Sequence, residues 1–119
     1  MQYCSTCLHP VEIEQVFCPA CNLRYSGRFA LPRLARLAPE HQHVAEMLVL
    51  CAGNLKEMAG ALDLSYPTLR KRLDALIESL QALRAEDDER IKELLDCVEA
   101  GTVKAEEAAR LIKELNGGA

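Results

Sequence analysis

Residues Asn54 to Leu76 read "NLKEMAGALDLSYPTLRKRLDAL", and the apolar positions in this stretch change phase once. Leu55, Met58, Ala59 and Leu62 stand at i, i+3, i+4 and i+7, the interval at which one face of an α-helix repeats. Leu69, Leu73 and Leu76 restart that interval, and Ile77, Leu80 and Leu83 carry it on, so a longer helix is expected from about Tyr66 to about Ala85. Between the two lies "DLSY". Asp63 tolerates a left-handed backbone, Leu64 can plug the core, Ser65 is a good N-cap, and Pro67 suits a first helical turn. A tight turn between two helices is the expectation. In the longer helix the leucines face inward, which leaves Tyr66, Thr68, Arg70, Lys71 and Asp74 for the outer surface and Arg72 on its flank.

Upstream, Val44, Met47, Leu48 and Cys51 give one more apolar stripe, on a helix that should end at Gly53. Three helices, the last two joined by a short turn with polar residues at the start of the third, are how a helix-turn-helix is built. The stretch from Asn54 to Leu76 resembles the Fis-type helix-turn-helix of bacterial DNA-binding regulators. Asn54, Ala59, Thr68, Leu69, Arg70, Lys71 and Leu73 match its pattern, whereas Asp63, Tyr66 and Pro67 depart from it. If the third helix enters a major groove, Arg70 and Lys71 meet phosphates or guanine edges, and Tyr66 and Thr68 stand near base edges or thymine methyls. Asn54 would bond a phosphate at the N-terminus of the preceding helix, where the helix dipole helps. The expected DNA-binding set is Asn54, Ser65, Tyr66, Thr68, Arg70, Lys71 and Arg72, with Arg33 and Arg36 adding contacts to the backbone.

At the other end, "CSTCLHPVEIEQVFCPAC" spans Cys4 to Cys21 and holds two identical C-x-x-C pairs separated by ten residues. Between them "VEIEQVF" alternates Val11, Ile13, Gln15 and Phe17 against Glu12, Glu14 and Val16, which reads as a short strand, and "LRYSGRF" can supply a second. Paired C-x-x-C turns can surround one Zn²⁺ with four thiolates at about 2.3 Å each, and four sulfurs leave no open coordination position. Cys4, Cys7, Cys18 and Cys21 are therefore the expected ligands of a structural zinc ion in a zinc ribbon, with Tyr25 and Phe29 covering it. His9, His41 and His43 remain spare. Pro19 and Asn22 suit the second turn, but Leu8 stands after Cys7 where glycine or asparagine would be easier, so strain or a different turn is expected there. A thioredoxin-like dithiol would call for one C-x-x-C near a βαβ unit, and accounts for only one of the two pairs.

The order of parts, from the ribbon through "ARLAPEHQ" to "LSYPTLRKRLDALIESL", resembles a family of small bacterial proteins catalogued as a domain of unknown function and taken to be transcription regulators. That resemblance covers roughly residues 1–85. Beyond it, Ile91, Leu94, Leu95 and Val98 mark one helix, Gly101 a stop, Thr102 a cap, and Ala105, Ala108, Ala109, Ile112 and Leu115 a second helix. This hairpin is similar to the "E-x-G-x-x-x-x-E-E-A" hairpins that end many bacterial stress-response and membrane-associated proteins, which implies self-association. Its stripes are too short to stand alone and need the third helix or another copy of the chain.

The 119 residues carry a net charge of -4, distributed as -1 over residues 1–27, +2 over 28–40, 0 over 41–85 and -5 over 86–119. The acidity sits in the tail, so a nucleic-acid face is permitted in the first two-thirds. No signal peptide opens the chain, and the apolar stretch Met47 to Gly53 is far shorter than the roughly 20 residues needed to cross a bilayer. A cytoplasmic protein follows, where glutathione keeps thiols reduced and paired cysteines are expected to hold metal or do redox chemistry and not to form structural disulfides. Cys51 and Cys97 lie on apolar stripes as small core residues.

The expected fold class is mainly α with a small β zinc ribbon: ribbon 1–29, linker 30–40, trihelical helix-turn-helix 41–85, and acidic helical hairpin 86–119 acting as an oligomerisation element. The expected function is a zinc-stabilised DNA-binding transcription regulator, a homodimer on double-stranded DNA. An adaptor gripping a component of the transcription machinery is the alternative. No catalytic constellation is present, so no enzyme, membrane association or small-molecule substrate is expected.

Overall fold

The computed structural model describes residues 3–9 and 11–116. Residues 1, 2, 10 and 117–119, which the expected ribbon and tail include, lie outside it. Two strands lead, β1 (Ile13–Phe17) and β2 (Arg24–Phe29), followed by a short 3₁₀ turn at Arg33–Arg36. Four helices follow: α1 (Pro39–Leu50), α2 (Leu55–Leu62), α3 (Tyr66–Glu99) and α4 (Ala105–Leu115). The protein is thus mainly helical with one small antiparallel sheet.

The strands pair with Ile13 opposite Phe29, Gln15 opposite Ser26, Val16 opposite Tyr25 and Phe17 opposite Arg24. Opposite residues in an antiparallel pair share a face. Gln15 accordingly bonds both the Ser26 hydroxyl and the Arg24 guanidinium, which also lies 4.4 Å over the Phe17 ring. Between Ser26 and Phe29 the second strand carries one residue more than β1 does between Gln15 and Ile13, a bulge that bends the hairpin beside its Glu12–Arg28 ion pair. Tyr25 is exposed and Phe29 half-buried.

The helical core gathers Leu37, Val44, Met58, Leu69, Leu73 and Leu76, with Met47, Leu48, Cys51, Leu55 and Leu62 packed around them. Met58 is wholly buried, and so, at 2% exposure, is Leu37. That second residue was expected in a linker. It reaches the core because the chain from Arg33 to Leu37 is folded onto the helices, with Gln42 donating to the carbonyls of Ala35 and Leu37. Helix α1 accordingly begins at Pro39, where a proline gives up no hydrogen bond. Its end is the expected one: Ala52 and Gly53 both take positive φ, at 50° and 76°.

The turn between α2 and α3 follows the sequence closely. Asp63 sits in the left-handed region at φ 53°, and the Leu64 N–H bonds the Ala59 carbonyl. The third helix, however, does not end near Ala85. It runs unbroken for 34 residues to Glu99, about 51 Å at 1.5 Å per residue, because nothing from Glu86 to Arg90 is a helix breaker. The expected first arm of the tail hairpin is therefore the second half of α3. Ile77, which fits the inner stripe by interval, is 41% exposed, at the edge of a stripe that Leu80 and Leu83 continue against the core.

Gly101, at φ 79°, stops α3. Thr102, expected to cap the following helix, instead closes the preceding one: its backbone N–H and its hydroxyl both donate to the Cys97 carbonyl, and Lys104 takes the N-cap of α4. The last helix folds back onto α3 of its own chain, with Ala108 and Leu94 buried between them and Leu111, Ile112 and Leu115 half-buried. Ala105 and Ala109 are exposed. Cys51 and Cys97 are half-buried free thiols.

One charged side chain is buried among all this. Asp87, 2% exposed, accepts from Arg33 Nε at 2.9 Å and from Arg36 Nη2 at 2.5 Å, both on its Oδ2. A carboxylate in such a place costs heavily unless it is paired, and here two cations from the 3₁₀ turn pair with it. Asp87→Ala should lower the free energy of unfolding by about 2–4 kcal/mol, because it strands two partly buried guanidiniums. Urea denaturation measures this; a loss below about 0.5 kcal/mol would show that the cluster contributes nothing.

Candidate nucleic-acid interface and metal centre

The first two turns of α3 carry the basic residues. Ser65 caps the helix, its Oγ accepting the Thr68 N–H at 3.4 Å and lying 2.9 Å from Thr68 Oγ1. Asn54 caps α2, its Oδ1 accepting from the N–H groups of Lys56 at 3.1 Å and Glu57 at 3.2 Å. Its carbonyl oxygen is thus engaged in holding α2, and Ser65 and Thr68 hold each other at the start of α3. Tyr66, Arg70, Lys71 and Arg72 are exposed, with Leu69 and Leu73 buried beneath them. Arg70 Nε lies 3.4 Å from Asp74 Oδ1, an ion pair on one exposed face worth less than about 0.5 kcal/mol and easily exchanged for a stronger acceptor. Tyr66 and Arg70, one turn apart, form one row, and Thr68 with Lys71 and Arg72 a second that begins about 100° round the helix, so the basic residues wrap the solvent-facing side with Arg72 on its flank. The positive end of the α3 dipole lies beneath it.

Arg33 and Arg36 take no part in this surface. Both are directed onto Asp87, a carboxylate that no motif marks, since it sits in a run of charged residues that reads as solvated.

In the strand hairpin, the two C-x-x-C segments adopt the same turn. Leu8 N–H bonds the Cys4 carbonyl at 2.9 Å and Cys4 N–H the His9 carbonyl at 2.8 Å; Asn22 N–H bonds the Cys18 carbonyl at 2.8 Å and Cys18 N–H the Leu23 carbonyl at 2.9 Å. The residue after each second cysteine is left-handed, Leu8 and Asn22 both at φ 61°. The expected strain at Leu8 is therefore present in an otherwise unaltered turn. In each turn the first sulfur is an acceptor. The Cys7 N–H, then the Thr6 N–H and the Cys7 thiol, hold the Cys4 thiol below its ordinary pKa; the Cys21 N–H, then the Cys21 thiol and the Ala20 N–H, do so for Cys18.

Each turn thus brings two sulfurs together and favours a thiolate, which is the donor chemistry a soft or borderline cation asks for. Among the described residues no group of three or more cysteine, histidine, aspartate or glutamate side chains is gathered closely enough to hold a metal ion. The structure joins Cys4 to Cys7 and Cys18 to Cys21 and does not gather all four.

Residues 37–83 match a family model described as "Domain of unknown function (DUF2089)-HTH". The match begins at the buried Leu37 and ends on Leu83, taking in α1, α2 and the first half of α3. It bears out the resemblance to a domain of unknown function with a helix-turn-helix. No curated protein and no solved structure matches the chain. Among the described residues no helix is long and apolar enough to cross a membrane.

A leucine at φ 61° costs about 1 kcal/mol more than asparagine in the same place. Leu8→Asn should make the first turn as stable as the second. Hydrogen exchange at the residue-8 amide should slow roughly fivefold; an unchanged rate would mean that the turn carries no strain.

Proposed function

We propose that this chain is a DNA-binding transcription regulator whose third helix is the recognition element and whose strand hairpin is held by a structural zinc ion. One observation carries the reading: the segment that matches a helix-turn-helix family model is the segment whose third helix exposes Arg70, Lys71 and Arg72 over a leucine core. Lys71 and Arg72 would meet phosphates, Arg70 would exchange Asp74 for a phosphate or a guanine edge, and Tyr66 would reach the groove floor. Asn54 and Ser65 support the surface by capping its two helices, and Asn54 would approach a phosphate only through its amide nitrogen or the N–H groups beside it. The binding form would be a pair of chains related by a two-fold axis, with recognition helices about 34 Å apart on one face of the duplex.

Cys4, Cys7, Cys18 and Cys21 would hold the zinc. The ion, when bound, supplies a fourfold cross-link between the two turns and no catalytic chemistry, since sulfur fills every position. The twin turns support this assignment, each with N–H groups at its first sulfur. The ribbon on its own is too small to bury a core.

The protein should carry one zinc per chain by elemental analysis, and Cys18→Ser should lose it together with the ordered amide signals of residues 11–29. Metal-free protein with an intact hairpin in excess chelator would sink the zinc assignment. For the helix, binding to duplex DNA should weaken steeply with salt, and Arg70→Ala with Lys71→Ala should lower the slope of log K against log [salt] by about 0.9 if Arg70 reads a guanine and about 1.8 if both meet phosphates. A double variant that binds as the unaltered chain does would remove α3 from the interface, and a footprint of a single half-site would remove the two-fold pair.

A further inference from the structure

A cleft of about 380 Å³ opens on the far side of the molecule from the start of α3, between the strand hairpin, the second half of α3 and α4. That size lies within the roughly 300–1,000 Å³ of small-molecule sites. Leu83, Leu94, Phe29, Leu31, Leu111 and Leu115 make its wall apolar. Its charged residues are unequally engaged. Arg28 is taken by Glu12 through two contacts, the shorter 2.6 Å, whereas Arg90 and Arg110 have only long pairs, 3.4 and 3.8 Å, to exposed glutamates on their own helices. Arg36 also belongs to the wall, and its Nε is a buried donor with no acceptor among the described residues. The lining itself holds four arginines, Arg28, Arg36, Arg90 and Arg110, and three glutamates, Glu12, Glu86 and Glu114, and the charge of Arg36 is answered by Asp87. An apolar wall beside two weakly paired, exposed guanidiniums describes the complement of an apolar monoanion.

We propose that this cleft is a binding site for a small amphipathic carboxylate, its acyl or aryl body against Leu83, Leu94, Leu111 and Leu115 and its carboxylate toward Arg90 and Arg110. The site is separate from the exposed basic surface, and the two are joined by one continuous helix. Occupancy would be set by apolar length as well as by charge, because the wall offers more carbon than nitrogen.

Decanoate is a suitable probe, titrated calorimetrically into the full-length, zinc-loaded protein below the probe's micellar concentration. Saturable binding of one decanoate per chain is expected, at least tenfold weaker for hexanoate and for decyltrimethylammonium. Arg90→Ala and Arg110→Ala, both at exposed positions, should each weaken it at least fivefold while leaving the unfolding midpoint and DNA binding unchanged. No saturable binding, equal binding of the cationic probe, several molecules per chain, or full affinity in both arginine variants would each overturn the proposal. Because the readout is heat of ligand binding, it stands or falls apart from the DNA-binding reading.

Discussion

Two guanidiniums meeting on one buried carboxylate oxygen decide how the front of this protein joins its back. Asp87 projects from the middle of α3 and Arg33 and Arg36 from the turn that follows β2. The pairing fixes that turn against the helix, and with the turn fixed Leu37 enters the core and α1 starts at Pro39. A buried ion cluster of this kind adds little net stability over an apolar equivalent; what it supplies is selection, because a chain path that misplaces either arginine leaves a charge unpaired in the interior. The strand hairpin leads into this turn, and with α3 and α4 it borders the cleft beside it.

Helix α3 then divides into halves with different work. From Tyr66 to Leu76 its buried face is leucine, and the exposed face is free for basic residues because α1 and α2 cover the other side. From Glu86 onward the inner positions are Asp87 and Leu94, and the partners are the arginine turn and α4. An element shared in this way makes a surface at one end and a cleft at the other parts of a single rigid rod. Its length, about 51 Å, nearly equals the longest dimension of the molecule, 54 Å.

Much of the helical part could be read in advance, for reasons that lie in particular residues. The intervals of Val44 to Cys51, Leu55 to Leu62 and Leu69 to Leu76 mark real buried stripes, and Asp63, Ser65 and Gly101 adopt the backbone their chemistry favours. Reading failed where the inward side chain is not apolar. The run Glu86 to Arg90 looks like a solvated break, yet one of its acids is the most deeply buried charge in the described chain, and only the tertiary fold reveals the cations that answer it. Thr102 misled for a different reason: a threonine after a helix stop serves either neighbour, and here its hydroxyl donates to the Cys97 carbonyl while Lys104 takes the N-cap of α4. Of the candidate site, the outward set Tyr66, Arg70, Lys71 and Arg72 was visible from periodicity, whereas the capping engagement of Asn54 and the removal of Arg33 and Arg36 were not.

The absence of any joint in α3 has a consequence for how its length can vary. Each residue added between Leu76 and Asp87 would turn everything beyond it by about 100° and move it about 1.5 Å along the axis. A single insertion would carry the carboxylate out of reach of its arginines, while Leu94 and α4, both beyond it, would turn together as one body and lose their place against the strand hairpin. Seven residues would restore the angle to within about 20°, but at the cost of roughly 10 Å of displacement. The spacing between the leucine end and the aspartate is therefore a quantity the fold holds fixed, in a segment whose composition looks as if it could drift freely.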